Sequence, residues 1–240
     1  MTVVPYKGEA LSKKEQVAKM FNSISGRYDF LNHFLSLGID IRWRKKAIQL
    51  LKPYSPKTIL DVATGTADFA IEAISLNPTK IVGVDISEGM LKVGKGKIEA
   101  LGLGGTITLE LADSENLPFA DNFFDAAIVA FGVRNFENLD KGLKEMYRVI
   151  KPDGRLVVLE FSKPTVFPMK QLYNIYFNFI LPLVGKLISG NKAAYTYLPE
   201  SVRAFPDGHD FLLCLSKAGF KSPLCSPLTF GISSLYSAQK

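Results

Sequence analysis

The chain has 240 residues, of which 47% are apolar, so it can form one sizeable core but not two α/β domains of ordinary size. Its net charge is +6, but the basic residues are scattered apart from RWRKK at 42–46, and we expect no nucleic-acid partner. Cys214, Cys225 and two histidines show no metal-ligand spacing, which argues against a zinc site, and no metal is expected.

The N-terminal segment is predicted to be helical. Ser12 and Glu15 have the spacing of a capping box, and apolar residues then recur on one helical face up to Ile24. The next stretch, SGRYDFLNHFLSLGID, interrupts the helix with turn residues and aromatics, and a second helix around Trp43 ends at Pro53. The first residues lack the apolar core of a signal peptide, so we expect a cytoplasmic protein with reduced thiols.

From residue 57 the hydrophobic pattern changes its period. Short continuous apolar runs alternate with amphipathic helical patterns, which predicts a parallel sheet buried on both faces. Such sheets bind ligands outside the carboxyl ends of their strands. The expected strands are 58–63, 80–86, 106–111, 124–132 and 154–161, with helices near 68–76, from 88 and over 139–150.

The segment 171–189 is apolar for nearly the length of a membrane span, but Asn, Pro and Gly residues interrupt it. It reads as a helix with a wide apolar face. Two interpretations remain open: a helix buried on the core, or a lid that meets a lipid-like substrate or the membrane surface. Beyond it, a helix over 210–220 and strands at 221–226 and 229–237 predict a terminal antiparallel hairpin on the sheet edge.

Polar groups suited to a nucleoside end three consecutive strands. In DVATGTADFA, Asp61 ends the first strand, and Gly65 lets a ligand approach the backbone before the next helix. The loop lacks the full G-x-G-x-x-G spacing, so pyrophosphate is not its expected ligand. Asp85, after the second strand, can accept hydrogen bonds from ribose hydroxyls, although it can also cap the following helix. Asp113 and Ser114, after the third, suit an adenine edge.

Four motifs in this order, LDVATGTADFA, GVDISEGML, ADSENLPFADNFFDAAIVAFGVRN and MYRVIKPDGRLVVLEFSKP, resemble those of class I S-adenosylmethionine-dependent methyltransferases. The opening VAKMFNSISGRYDFLNHFLSLGIDIRWRK and the pair FGVRNF and VLEFSKP are similar to a narrower family, the quinone-biosynthesis C-methyltransferases. These enzymes methylate a ring carbon of demethylmenaquinol or of its benzoquinol counterpart in the ubiquinol pathway. The resemblance extends from about residue 12 to the C-terminus.

The resemblance implies a Rossmann-like α/β fold, with a seven-stranded, mostly parallel sheet whose last strand is antiparallel. It also implies one methyltransferase domain over 1–240, divided into a helical cap (12–52), a cofactor-binding core (57–161), an apolar lid (165–205) and a C-terminal helix and hairpin (209–240).

S-adenosylmethionine is the implied cofactor. By this analogy Thr66, Asp85, Asp113 and Ser114 contact it, Asp61 and Gly65 shape the floor of its site, and Tyr28 and Asp29 close over it. Ala67 and Asp153 depart from the family pattern, because the family has glycine at both positions. We expect cofactor binding to survive if Ala67 keeps a negative φ.

The catalytic assignment falls on Arg134 and Asn135, because the turn AFGVRNF lies beside the transferable methyl in this fold. Arginine has a pKa too high for a base, but its guanidinium can stabilise a developing phenolate or polarise a water, while Asn135 orients a ring oxygen. The alternative is that Arg134 caps the strand end or pairs with Glu137. His33 and His209 are candidate bases by type, with a structural role as the alternative.

The implied substrate is a polyprenyl quinol, most closely demethylmenaquinol, and the sequence leaves a benzoquinol open. Its tail needs an apolar groove, and the mid-chain segment can supply one, although the same side chains can serve as core. Peripheral contact with a membrane would give the substrate a route in. The oligomeric state stays open between a monomer and a homodimer. The groove candidates are Tyr173, Tyr176, Phe177, Phe179, Ile180 and Leu183.

Three other functions compete. A nicotinamide dehydrogenase also uses an acid after the second strand, but the loop ATGTAD and the terminal hairpin count against it. A nucleic-acid methyltransferase would need a pocket for a flipped base, and AFGVRN is not the motif of the amino-methylating enzymes. A non-catalytic membrane-surface module with a vestigial nucleoside pocket is the third.

Overall fold

The computed structural model describes residues 3–177 and 192–240. A seven-stranded sheet runs through it in the order β3-β2-β1-β4-β5-β7-β6. The first five strands are parallel to one another, and β7 is antiparallel to both of its neighbours, β5 and β6. This confirms the predicted fold class. The strands are β1 Thr58–Val62, β2 Lys80–Asp85, β3 Ile107–Leu111, β4 Phe124–Ala130, β5 Ile150–Phe161, β6 Lys221–Leu228 and β7 Ser233–Gln239.

Helices cover both faces of the sheet, as the continuous apolar runs predicted. Ile59 and Leu60 point to opposite faces of β1, and neither is exposed. Each therefore packs into a separate core cluster. The described helices are α1 Lys13–Ile24, α2 Tyr28–Leu35, α3 Ile39–Gln49, α4 Asp68–Ala73, α5 Glu88–Ala100, α6 Leu139–Val149, α7 Met169–Ile175, α8 Lys192–Ala204 and α9 His209–Lys217.

The N-terminal region confirms one expectation and corrects another. Ser12 and Glu15 form the capping box that starts α1, with the Ser12 N–H donating to the Glu15 carboxylate at 2.8 Å. The following stretch, which we expected to be irregular, contains helix α2. The glycines do not interrupt a helix here, because they lie near the two ends of that stretch. Gly26 precedes α2, and Gly38 adopts φ +72° before α3.

The sheet order fixes where a ligand can bind. From β1 the chain moves outward to β2 and β3 and then returns to β4 on the other side of β1. The connections leaving β1 and β4 therefore diverge, and a crevice opens above the carboxyl ends of these two strands.

Part of the mid-chain apolar segment lies outside the described residues. Helix α7 covers Met169–Ile175, and the groove candidates Phe179, Ile180 and Leu183 fall within 178–191, which are not described. Within residues 3–177 and 192–240, no helix is both long enough and apolar enough to cross a membrane.

Candidate active site

Two cavities adjoin above the carboxyl ends of the strands. The smaller lies over the tips of β1 to β4 and beneath α1. The larger lies between α2, α3, α7 and α8 and has a mainly apolar wall. Four residues line both cavities, so the two spaces meet there: Phe21, Tyr28, Phe131 and Asn135.

The smaller cavity brings together four of the six predicted cofactor residues: Gly65, Asp85, Asp113 and Ser114. Asp61 and Thr66 are absent from its described wall and lie buried behind it. The Asp61 carboxylate accepts a hydrogen bond from the Thr64 hydroxyl at 2.6 Å.

Thr66 connects the loop after β1 to the N-terminal helices. Its hydroxyl donates to the Asp29 carboxylate, which also pairs with the Lys97 ammonium at 2.9 Å. Tyr28, the neighbour of Asp29, lines both cavities. The predicted contacts of Thr66 and Asp29 with a cofactor would therefore have to compete with bonds that these side chains already make to each other.

Asp85 lies in the wall of the smaller cavity and links the loop after β1 to the start of α5. Its two carboxylate oxygens accept hydrogen bonds from the backbone N–H groups of Gly65, at 2.8 Å, and Ser87, at 2.9 Å. Ser87, not Asp85, caps α5 through its hydroxyl. Burial raises the pKa of the Asp85 carboxyl. The two donors hold the carboxylate rigidly at the cavity wall.

Burial also raises the pKa of Asp61, to about 7, against the effect of the Thr64 hydrogen bond. The side chain is 1% exposed, and an ionised carboxylate is costly to keep in such a place. The sequence could not indicate this shift, because it arises from the packing of α4 and β4 around the end of β1.

The loop after β1 has left-handed backbone at three positions: Ala63 (φ +54°), Gly65 (φ +57°) and Ala67 (φ +69°). Ala67 therefore does not have the negative φ on which our expectation of cofactor binding was conditional. Left-handed backbone costs a residue with a Cβ atom about 1–2 kcal/mol. The loop is therefore strained at Ala67, the position at which the methyltransferases that this sequence resembles have glycine. The turn places Ala67 at the N-cap of α4. Asp153, the second departure, is also left-handed, with φ +65°.

Helix α1 closes the smaller cavity with residues that the sequence did not identify. The Lys14 ammonium forms an ion pair with Asp113, whose other oxygen accepts from the Glu115 N–H at 2.9 Å. The Asn22 side-chain oxygen accepts from the Ser87 hydroxyl at 2.8 Å. Lysines in an amphipathic helix usually face solvent, so nothing in the local pattern singled out Lys14.

Arg134 lies in the wall of the larger cavity and is paired with Glu160, at the end of β5. The Nη1 to Oε1 distance is 2.7 Å, and the side chains are 7% and 0% exposed. The ion pairs of Arg134 among the described residues do not include Glu137, whose carboxylate accepts from the Lys13 backbone N–H. The other alternative, a cap on the strand end, is confirmed, because Nη1 also donates to the Phe131 carbonyl oxygen just after β4. Adjacent strands β4 and β5 bring Arg134 and Glu160 together. The sequence offers one indication of this ion pair: an acidic residue, Glu160, lies within the otherwise apolar run LVVLEF.

Four buried polar atoms of the larger cavity have no hydrogen-bond partner among the described residues. They are Arg134 Nε, Asn135 Oδ1 and the hydroxyl oxygens of Tyr173 and Tyr197, and all four residues line this cavity. Burial raises the pKa of both tyrosines, that of Tyr197 to about 12. The sequence suggested Tyr173 only as a groove residue and did not identify Tyr197.

Neither histidine lines the described part of the two cavities. His33 lies between two acids, with Nδ1 2.9 Å from Asp40 and Nε2 3.5 Å from Asp68. His209 is exposed at the start of α9. The two acid contacts favour the structural alternative for His33, whereas His209 is only shown not to line either cavity.

The sheet, its antiparallel seventh strand and the crevice at the strand tips define a class I S-adenosylmethionine-dependent methyltransferase fold. A possible histamine N-methyltransferase from Thermotoga maritima aligns with a TM-score of 0.63 at 20% identity, over 93% of this chain and 99% of its own. The [4+2]-cyclase SpnF aligns with a TM-score of 0.57 at 16% identity, over 97% of each chain. At these identities the likeness shows the fold alone, and fold does not fix chemistry.

The chain belongs to the ubiE/COQ5 methyltransferase family, whose model matches residues 9–240. A demethylmenaquinone methyltransferase from Bacteroides fragilis is 52% identical over 99% of this chain and 97% of its own. One from Porphyromonas gingivalis is 44% identical over 99% of this chain and 98% of its own. A ubiquinone/menaquinone biosynthesis C-methyltransferase UbiE from Geotalea daltonii is 46% identical over 95% and 97%. Membership decides for a methyltransferase against a dehydrogenase.

Proposed function

We propose that this protein transfers a methyl group from S-adenosylmethionine to a ring carbon of demethylmenaquinol. One observation carries the proposal: a cavity at the strand tips, lined by Asp85, Asp113 and Ser114, opens beside a larger and mainly apolar one, and Asn135 lines both. The names of the two relatives at 52% and 44% identity support a naphthoquinol as substrate. A benzoquinol of the ubiquinol pathway is the alternative, because the UbiE relative is named for both quinones.

The chemistry of the smaller cavity fits this cofactor. Asp85 offers carboxylate oxygens for ribose hydroxyls, and Asp113 with Ser114 offers an acceptor and a hydroxyl for adenine. The backbone comes close to the ligand at Gly65, where an added Cβ would meet no protein atom within 4 Å and would occupy open space. When bound, the cofactor supplies a methyl group made electrophilic by its sulfonium.

The residues of the larger cavity would then prepare the quinol ring. A hydroquinone carbon becomes nucleophilic as the neighbouring oxygen loses its proton, and the Arg134 guanidinium stabilises the resulting negative charge. A guanidinium stays protonated and cannot take the proton itself, so the proton leaves through a water that the guanidinium polarises. Asn135 holds the same ring oxygen. Overall, the S–CH3 bond and the ring C–H bond would break and a C–CH3 bond would form. The ring oxygen regains a proton, so the products are the methylated quinol, the neutral sulfide S-adenosylhomocysteine and one proton.

A direct assay tests this function. The full chain is incubated with S-adenosylmethionine labelled in the methyl group and with each demethylated quinol, naphthoquinol or benzoquinol, both reduced and oxidised. We expect label in the reduced naphthoquinol. Calorimetry measures binding of the cofactor alone and so separates the enzyme from a vestigial binding module. If no heat of binding is measured, the cofactor site is refuted. If the cofactor binds but no label is transferred to any ring, the proposed substrate class is refuted.

We also propose peripheral contact with a membrane at the mouth of the larger cavity. Leu37, 91% exposed, and Leu172, 56% exposed, line that cavity. Arg42 and Lys45 are exposed on the neighbouring helix α3, where they would face anionic lipid headgroups. An exposed apolar rim beside basic side chains suits a bilayer surface, from which a polyprenyl substrate could enter.

Flotation with vesicles tests the membrane proposal. We expect the wild-type chain to float with vesicles that contain phosphatidylglycerol and Leu37→Asp to float less. Leu101→Asp is the matched control, because Leu101 is 58% exposed and follows the far end of α5. If the wild-type chain does not co-migrate with anionic or neutral vesicles, substrate delivery occurs in solution.

A further inference from the structure

The larger cavity has unsatisfied polar atoms of three chemical kinds. Asn135 Oδ1 only accepts hydrogen bonds, Arg134 Nε–H only donates them, and the hydroxyls of Tyr173 and Tyr197 can do both. A buried polar atom without a partner destabilises the folded protein, and folded proteins leave few such atoms. Four in one cavity therefore indicate a ligand that supplies the missing partners.

The orientation of the Asn135 amide is set by its surroundings. The amide nitrogen donates to the Phe131 carbonyl oxygen at 3.4 Å, which leaves Oδ1 as the free end. The Arg134 Nη1 group is already used by Glu160 and by the same carbonyl, so Nε–H is left over. The two atoms offer one acceptor and one donor, which are the two kinds of partner that a hydroxyl group takes.

The tyrosine hydroxyls come from another part of the wall. Tyr173 lies in α7 and Tyr197 in α8, and these two residues line only the larger cavity, whereas Asn135 lines both. The Tyr197 side chain is 3% exposed, and the Tyr173 ring stacks on Phe177 with centroids 4.1 Å apart. Packing thus holds both rings, and neither tyrosine is among the residues that line the smaller cavity, whereas Asn135 is.

We propose that Tyr173 and Tyr197 bind the second oxygen of the quinol ring, para to the oxygen that Asn135 and Arg134 hold. The proposal rests on the proposed function and assigns two positioning residues to it. The ring oxygen next to the methylated carbon binds where the two cavities meet, and the para oxygen binds at the tyrosines. The same arrangement selects the reduced ring, because a quinone carbonyl cannot donate to Asn135 Oδ1.

The test uses the full chain and the double variant Tyr173→Phe/Tyr197→Phe with two reduced substrates. One is demethylmenaquinol with a short prenyl tail, and the other is its analogue without the para hydroxyl. We expect kcat/KM for the diol to fall about 5- to 100-fold, because the para hydroxyl loses its partners in a dry site. With the deoxy analogue, the variant and the wild-type chain should agree within about twofold.

Thermal unfolding supplies a second measurement that does not depend on activity. Because neither hydroxyl has a partner among the described residues, the Phe variants should keep or raise the wild-type Tm. Tyr236→Phe is the matched control: it is a buried tyrosine outside the cavity, its hydroxyl accepts from the Gly208 N–H at 2.7 Å, and its loss should lower Tm.

Three outcomes overturn the inference while the proposed function stands. The double variant could methylate the diol as fast as the wild-type chain, it could lose the same factor with both substrates, or it could lose Tm as Tyr236→Phe does. If the wild-type chain binds S-adenosylmethionine but methylates no quinol, the proposed function itself fails. The two failures are therefore distinguishable.

Discussion

Replacing Arg134 alone is expected to destabilise the protein strongly as well as to stop catalysis. Glu160 has no exposed side-chain surface and pairs with Arg134 at 2.7 Å. At this distance and an effective dielectric constant of about 20, the attraction is about 6 kcal/mol, much of which offsets the desolvation of both groups. Removing one partner of such a pair typically costs about 3–5 kcal/mol, a large fraction of the stability of a domain.

A paired substitution separates stability from catalysis. In Arg134→Met the Glu160 carboxylate is left buried and unpaired, so we expect a loss of about 3–5 kcal/mol in the free energy of unfolding. In Arg134→Met/Glu160→Gln the buried charge is gone. The amide oxygen can still accept from the Phe161 N–H, as the Glu160 carboxylate does at 2.8 Å in the wild-type chain. Most of the loss should be recovered, to within about 1–2 kcal/mol of wild type.

The pH dependence of the single variant has a definite sign. Burial already raises the pKa of Glu160, and loss of the guanidinium raises it further. A carboxyl with a raised pKa in the folded state binds more protons there than in the unfolded chain, so its contribution to stability is lost as pH rises. The deficit of Arg134→Met should therefore be smaller in mildly acidic than in alkaline buffer.

Urea denaturation at two pH values and turnover of demethylmenaquinol are the assays. The double variant should be folded and should bind S-adenosylmethionine within about threefold of wild type, with turnover reduced at least about 100-fold. A double variant no more stable than Arg134→Met would refute the argument from buried charge. Wild-type turnover in it would remove Arg134 from the mechanism.

The remaining predictions concern the strand tips. Asp61→Asn removes the carboxyl group whose pKa is about 7 in the folded protein. From about pH 4 upward the variant should therefore become progressively more stable than wild type, by about 4 kcal/mol in the free energy of unfolding at pH 8. Urea titrations of the apo protein measure this, and parallel pH profiles of the two chains would contradict it. Asp85→Asn should weaken binding of S-adenosylmethionine about 10- to 100-fold by calorimetry, since it loses a charged acceptor, and an unchanged Kd would exclude the ribose contact. Gly132→Ala would place a Cβ atom 2.6 Å from the Cβ atom of Ala63, so it should lower the free energy of unfolding by about 1–3 kcal/mol. The double variant Gly132→Ala/Ala63→Gly should recover part of this loss, and no recovery would show that another contact is responsible.

The sequence by itself determined the sheet and the positions of its polar strand ends. Continuous apolar runs require burial on both faces, and the carboxyl ends of parallel strands must share one edge. For that reason Asp85, Asp113 and Ser114 were predicted together and do line one cavity. Likewise, the Ser12 and Glu15 spacing determined the start of α1, because a capping box is purely local.

Only the tertiary structure decided which side chains meet. Arg134 pairs with Glu160 rather than with the nearby Glu137, because β4 and β5 are neighbours in the sheet. Lys14 reaches Asp113 from a helix far away in sequence. The left-handed φ of Ala67 comes from the turn that joins β1 to α4. Such contacts depend on the packing of distant segments, and no local pattern of residue types contains that information.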